Sequence, residues 1–214
     1  MPASLPPTLI DLAKFAATPM AADPFDHVVV PGFIRADALE AVNRDYPDVA
    51  TPGSHPLPEL TCGPAFRTLM EEIQGPEMTA AFGAKFGIDL TGRPTMVTVR
   101  GRARAKDGQV HTDSRTKIVT VLIYMNPAWE STEGRLRLLR SPDSLDNPVV
   151  EVPPDEGTLL AFVNTPTAWH GHTSVDGPRR AIQLNWVTDD GVVKREQFRH
   201  GLSSRLKRLN PFAA

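Results

Sequence analysis

The chain has 214 residues, with 23 Lys and Arg against 25 Asp and Glu and a formal net charge of -2 at pH 7, so it lacks the basic excess of a nucleic-acid binder. Hydrophobic residues make up 41%, enough for a sizeable core, and the length suits one elaborated domain, 1–214, better than two. The single Cys62 excludes an internal disulfide framework. No stretch approaches the roughly 20 apolar residues of a membrane span, and Met1 to Ala17, with Lys14 as its one basic residue, lacks the n-region and h-region of a signal peptide. The expected location is cytoplasmic and reducing, with neither nucleic acid nor membrane as a partner.

In chain order, Leu9, Leu12, Ala13 and Ala16 recur at helical spacing after Pro6-Pro7, which suit a first turn, so Leu5 to Ala17 reads as a helix. His27 to Val30 is a short strand ended by Pro31-Gly32. A helix follows through Tyr46, carried by Ala38, Leu39 and Val42, with Asp37 as cap or early-turn acid. Pro47 to Pro64, rich in Pro, Gly and Ser, is expected to be a loop. Ala65 to Gln74 and Glu77 to Phe86 are helical and separated by Gly75-Pro76.

Beyond Pro94 the texture changes to strands. They are Thr95 to Arg100, Lys117 to Met125, Leu136 to Leu139, Thr158 to Val163 and Ala181 to Val187, with turns at Asp107-Gly108, Glu133-Gly134 and Glu156-Gly157. A helical part, 1–93, a strand-rich core, 94–190, and an extension, 191–214, without strand-helix alternation, predict an α+β fold. Arg205, Lys207 and Arg208 read as the polar side of a terminal helix.

Chemistry concentrates in the second half. His111 and Asp113 lie two residues apart, and on an extended Val110 to Asp113 they would project to one side. A third ligand must come from a distant strand, and Trp169-His170-Gly171-His172 offers two candidates, His170 and His172. Two imidazoles and a carboxylate occupy one triangular face of an octahedral iron(II) ion and leave the other face open, the arrangement of non-haem oxygenases.

The order of features extends well beyond the ligands. After His111-x-Asp113 come Tyr124-Met125-Asn126, Trp129, Gly134-Arg135-Leu136-Arg137, Pro154, Gly157, Trp169-His170-Gly171 and Gly177-Pro178-Arg179. Over roughly Pro94 to Val187 the chain resembles the iron(II)/2-oxoglutarate-dependent dioxygenases of the prolyl-4-hydroxylase-like branch. The resemblance implies a double-stranded β-helix, or jelly-roll, core with the N-terminal helices packed on one sheet. It implies Fe(II), 2-oxoglutarate and O2, and a hydroxylation that releases succinate and CO2. The iron ligands it implies are His111, Asp113 and His170, because the family sets its distal histidine nine to ten residues ahead of the arginine that anchors the cosubstrate. His172 then becomes a neighbour of the ligands. The family's halogenases have a small residue where this chain has Asp113, which favours hydroxylation.

For the cosubstrate's distal carboxylate, the resemblance asks for an arginine, and a planar, permanently charged guanidinium suits that task. On a strand from Arg179 to Val187, Arg179, Ala181, Gln183 and Asn185 share one face, while Arg180, Ile182, Leu184 and Trp186 share the other. The second face is the apolar one, so Arg179 and Gln183 face the ligand and Arg180 is an edge charge. Tyr124 stands where the family's tyrosine contacts the same carboxylate, Thr120 faces the same way, and Leu136 matches the position packed on the cosubstrate chain. Where the branch often has a tyrosine upstream, this chain has Val99-Arg100-Gly101, so that part of the pocket does not carry over.

Trp129 and Trp169 read as packing residues. The alternating run Arg100, Arg102, Arg104, Lys106 leads into the site and is either a solvated face or an attractor of anionic substrates. The substrate is a small molecule or a peptidyl or amino-acid group. The rival reading is a non-enzymatic jelly-roll module that senses a metal or small ligand.

Overall fold

The computed structural model describes residues 6–195; the basic tail from Arg205 to Arg208 lies outside the described residues. The elements, in order, are helix α1 (Leu12–Ala17), strand β1 (His27–Val30), helix α2 (Ala36–Arg44), strand β2 (His55–Pro56), a 3-10 turn (Leu57–Glu59) and helices α3 (Pro64–Ile73) and α4 (Pro76–Phe86). Seven strands follow: β3 (Thr95–Ala103), β4 (Lys117–Tyr124), β5 (Leu136–Leu139), β6 (Val150–Val152), β7 (Leu159–Val163), β8 (Trp169–His172) and β9 (Gly177–Val187). They form a six-stranded antiparallel sheet in the order β1-β7-β4-β9-β3-β2 and a three-stranded antiparallel sheet in the order β6-β5-β8.

Helix starts follow local chemistry. α3 and α4 each open with proline in the first turn, where the missing N–H is no loss, and α4 stops at Gly87 in the left-handed region. Asp37 is the first-turn acid of α2 but not its cap, because the N-cap position is Arg35, which makes no capping bond. α3 receives its cap from outside itself: the Asp45 carboxylate accepts the Ala65 N–H at 2.7 Å.

The segment 47–64 departs from the expected loop. His55 and Pro56 pair with Val99 and Thr98 at the margin of the six-stranded sheet, a place where a residue without an N–H is tolerated. β6 and β8 were also outside the sequence expectation. Each is four residues or fewer, too short for an alternating pattern to emerge.

Alternation along the strands divides the interior in two. Val97 and Val99 of β3, Val119, Val121 and Ile123 of β4, and Ile182, Leu184 and Trp186 of β9 join Phe15, Val42, Phe66, Leu69, Phe82 and Phe86 of the helices in one buried core. The opposite faces of β4, β7 and β9 supply Tyr124, Leu160, Phe162 and Ala181 to a second core, which Leu136 and Leu138 of β5 and Val152 of β6 complete. The helices thus close one side of the large sheet and the small sheet closes the other. No helix among the described residues is long and apolar enough to cross a membrane.

Phe82 ties the helical layer to the sheet, stacking on Phe15 with centroids 4.2 Å apart and lying 5.1 Å from Trp186. We expect Phe82→Ala to destabilise the protein by about 3 to 5 kcal/mol, read from urea unfolding midpoints. A loss below about 1 kcal/mol would mean that the site collapses to fill the gap.

Candidate active site

His111 and His170 are 59 positions apart in the sequence yet directly opposed in space. Each donates its backbone N–H to the other's carbonyl at 3.0 Å, and this isolated antiparallel bridge sets their rings 4.4 Å apart. Asp113 completes the group: one ligand atom from each of His111, Asp113 and His170 lies within 4.8 Å of the others. The expected strand from Val110 to Asp113 is reduced to that single bridge at His111. The chain then turns at 115–116, with the Lys117 N–H on the Ser114 carbonyl. The ligand atoms converge nonetheless.

Both imidazoles are oriented for ligation. Nδ1 of His111 faces the Gln109 carbonyl at 2.8 Å and Nδ1 of His170 faces the Ala168 carbonyl at 2.9 Å. A carbonyl only accepts, so each Nδ1 carries the proton and each Nε2 keeps its lone pair for a metal. Burial, reinforced by the charge of His111 and opposed by Asp113, drops the His170 pKa to about 4, so its ring is neutral at physiological pH.

Asp113 is held from two sides. The Lys117 ammonium donates to Oδ1 at 2.7 Å and the Thr120 hydroxyl donates to Oδ2 at 2.6 Å. Burial raises the Asp113 pKa, but the Lys117 charge and these two hydrogen bonds outweigh it and hold the carboxyl below the usual range. Asn185 donates to the Thr120 hydroxyl at 2.8 Å and Gln183 donates to Asn185 at 3.3 Å. Thr120 and Gln183 therefore belong to a chain of hydrogen bonds running from β9 to Asp113.

The triad opens into a cavity of about 400 Å³ lined by residues of both sheets, among them Met96, Thr98, Arg100, Thr120, Leu122, Leu136, His172, Arg179 and Gln183. Arg179 is buried, and its Nε donates to the Gly134 carbonyl at 2.9 Å. Its Nη2 is buried without a partner, as is the Tyr124 hydroxyl. The Arg179 guanidinium carbon lies 5.4 Å from the Tyr124 ring centroid. Tyr124 is wholly buried and lies outside the set of lining residues; burial raises its pKa against the pull of Arg179.

Arg180 points the other way. It is exposed, with its guanidinium over the Tyr46 ring at 5.0 Å, while its backbone is clamped by Asn126: the Arg180 N–H donates to Oδ1 at 2.6 Å and Nδ2 donates to its carbonyl at 3.0 Å. His172 lines the cavity outside the His111, Asp113 and His170 group. Burial and the Arg179 charge drop its pKa to about 4. Gly108 approaches it with φ +89°, and a Cβ there would collide with the imidazole.

Lys117 is the functional residue that sequence reasoning missed. Strict alternation from Thr120 assigns Lys117 to the helix side, but the register of β4 against β9 shifts between Lys117 and Val119. That bulge turns Lys117 to the cavity. Of the basic run, Arg100 lines the cavity, whereas Arg102 pairs with Asp176 at 3.1 Å and Arg104 with Asp107 at 3.0 Å.

Residues 101–188 match the family model of the 2OG-Fe(II) oxygenase superfamily. Among solved structures, a Pseudomonas putida prolyl-4-hydroxylase is similar in fold with a TM-score of 0.51 at 15% identity, covering 83% of this chain and 92% of its own. A Burkholderia pseudomallei oxidoreductase of the 2OG-Fe(II) oxygenase family gives a TM-score of 0.52 at 16% identity, covering 82% and 89%. The viral collagen prolyl hydroxylase of Paramecium bursaria Chlorella virus-1, in its 2OG complex, gives 0.52 at 12% identity, covering 78% and 99%. No curated protein sequence matches the chain. The matched span runs from Gly101 on β3 through the end of β9 and takes in the histidines, the aspartate and the buried arginine alike, so over its strand-rich part the chain is similar to the 2OG-Fe(II) oxygenases.

Proposed function

We propose that the chain is an Fe(II)- and 2-oxoglutarate-dependent oxygenase that hydroxylates an unactivated C–H bond of a small molecule or of an amino-acid or peptidyl substrate. In this reading His111, Asp113 and His170 hold the metal and Arg179 anchors the distal carboxylate of 2-oxoglutarate. The observation that carries it is a single cavity with three convergent metal-ligating groups and, in the same wall, a buried guanidinium whose Nη2 has no partner. A carboxylate accepting from Nη2 satisfies a buried donor that is costly to leave bare.

The iron and cosubstrate, when bound, supply the oxidising chemistry, with succinate and CO2 as by-products. The chain's residues orient and desolvate. Thr120 and Lys117 keep Asp113 ionised and aimed, Leu136 and Leu122 give the cavity apolar walls, and His172 stands beside Arg179 as a neutral polar neighbour. Thr120 and Gln183 contribute to the cosubstrate side through the Asp113 hydrogen-bond chain. Fold neighbours named prolyl-4-hydroxylase and collagen prolyl hydroxylase support including peptidyl substrates.

We read the two sheets as a double-stranded β-helix with the helices on its larger sheet, and 1–214 as one domain, supported by the core that helices and sheet share. A reducing, cytoplasmic setting and the absence of nucleic-acid or membrane partners fit the near-neutral charge and single cysteine.

Anaerobic titration with iron(II) tests the ligands. His111→Ala, Asp113→Ala and His170→Ala should each lose measurable binding while keeping a cooperative unfolding transition, and His172→Ala should still bind. Loss of binding in His172→Ala with retention in His170→Ala would reassign the third ligand. The arginines are separated by following 2-oxoglutarate binding through the visible charge-transfer band of the iron complex. Arg179→Ala should weaken binding by about 2 to 5 kcal/mol, because the carboxylate would stay buried and unpaired. Arg180→Ala, exposed on Tyr46, should cost under about 1 kcal/mol. The reverse order would move the anchor to Arg180.

A further inference from the structure

The cavity wall carries a second guanidinium that the proposed chemistry leaves without a task. Arg100 lies on β3, lines the cavity with Met96 and Thr98, and pairs in register with Ala181, which sets it diagonally across from Arg179 on the adjacent strand. The other cations nearby are committed: Lys117 to Asp113, Arg102 to Asp176, Arg104 to Asp107, and Arg179 through Nε to Gly134. Among the described residues the Arg100 guanidinium has no hydrogen bond and no ion pair; it only feels charges at a distance. Burial and the like charge of Arg179 lower its pKa, with Asp107 offsetting them in part.

The charge of the filled site makes this arrangement informative. Asp113 is the only acidic residue among those described that line the cavity. Iron(II), Lys117, Arg100 and Arg179 bring five positive charges; Asp113 and dianionic 2-oxoglutarate bring three negative ones. Two positive charges remain around a partly enclosed cavity, where an uncompensated charge is unfavourable. Arg179 and the metal account for both carboxylates of the cosubstrate. Arg100 is then the lining cation whose donors are left for whatever enters beside it.

We infer that the substrate carries an oxyanion, a carboxylate or a phosphate ester, and that Arg100 is the residue that anchors it, a reading that rests on the oxygenase function proposed above. A planar guanidinium with open N–H groups matches the two oxygens of such a group bidentately. The anchor sits across the β3–β9 pair from the cosubstrate arginine, so the oxyanion would be held in the same cavity as the triad. The enzyme would discriminate against neutral analogues, because these leave the guanidinium unpaired.

The test uses the full chain loaded anaerobically with iron(II) and 2-oxoglutarate, following the charge-transfer band as a second ligand is added. The probes are matched pairs: N-acetyl-L-amino acids beside their amides for the carboxylate, and glycerol phosphate beside glycerol for the phosphate ester. Within the responding class, the anion should perturb the band at a concentration at least tenfold below its neutral partner, and R100Q should erase that difference. Cosubstrate affinity in R100Q should shift less than threefold, against more than tenfold in R179Q. Thermal melting of the metal-free protein gives an independent arm, in which R100Q should unfold at or above the wild-type temperature, since an uncompensated cation has been removed.

The inference is overturned if anion and neutral partner act alike, if neither class acts, or if the preference survives in R100Q. It is equally overturned if R100Q raises the 2-oxoglutarate requirement as R179Q does, which would make Arg100 a second cosubstrate anchor, or if metal-free R100Q melts several degrees lower, which would make it structural. Absence of the band in the wild-type protein rejects the oxygenase reading itself, and this inference with it.

Discussion

The register of β9 between β3 and β4 is the constraint on which the site depends. β9 sits inside the six-stranded sheet with partners on both sides. One face sends Ile182, Leu184 and Trp186 into the helix-covered core, while the other presents Arg179, Ala181, Gln183 and Asn185 to the cavity. A slip of one residue would bury Arg180 in the ligand space and expose Trp186 to it. The helices therefore serve the chemistry indirectly. By burying the apolar face, they fix which arginine faces inward.

Electrostatics then sort the groups that converge there. Burial makes a histidine cheap to keep neutral and a carboxylate expensive to keep charged, and a metal held by the proposed ligands would need both states at once. His170 is left neutral chiefly by burial, with its Nδ1 proton tied to Ala168. Asp113 is kept ionised by Lys117 and Thr120. A carboxylate oxygen offers two lone pairs, so hydrogen bonds to Oδ1 and Oδ2 still leave an acceptor position for a metal.

Much of this was legible in the sequence, for identifiable reasons. The alternation of Arg179 to Trp186 is long enough to distinguish the two faces, so the sequence alone separates Arg179 from Arg180. The positive φ of Gly108, Gly134 and Gly157 falls at the three turns expected from Asp-Gly and Glu-Gly pairs. Three things were hidden. β8 is a four-residue strand whose Trp-His-Gly-His reads as loop chemistry, and its pairing with β5 is wholly non-local. Lys117 owes its position to a bulge, which periodicity cannot foresee. Tyr124 has the expected orientation, but sequence gives no depth; it lies behind Arg179, not at the cavity surface.

The segment from Arg104 to Thr116 joins these levels. It carries His111 and Asp113, two of the three proposed ligands, yet contains no strand, and its place is set by ties to both sheets. His111 is bridged to His170 of β8, and Gly108 accepts the His172 N–H at 2.9 Å on the small-sheet side. Asp113 is bonded to Lys117 and Thr120 of β4, and Asn164 donates to the Ser114 carbonyl at 2.7 Å, on the large-sheet side. A metal shared by His111, Asp113 and His170 adds a bond across the same junction, linking the strap to β8. Metal affinity and docking of the strap are thus coupled quantities. Each favourable increment in one is returned in the other, because a ligand that binds only the docked form stabilises that form by mass action.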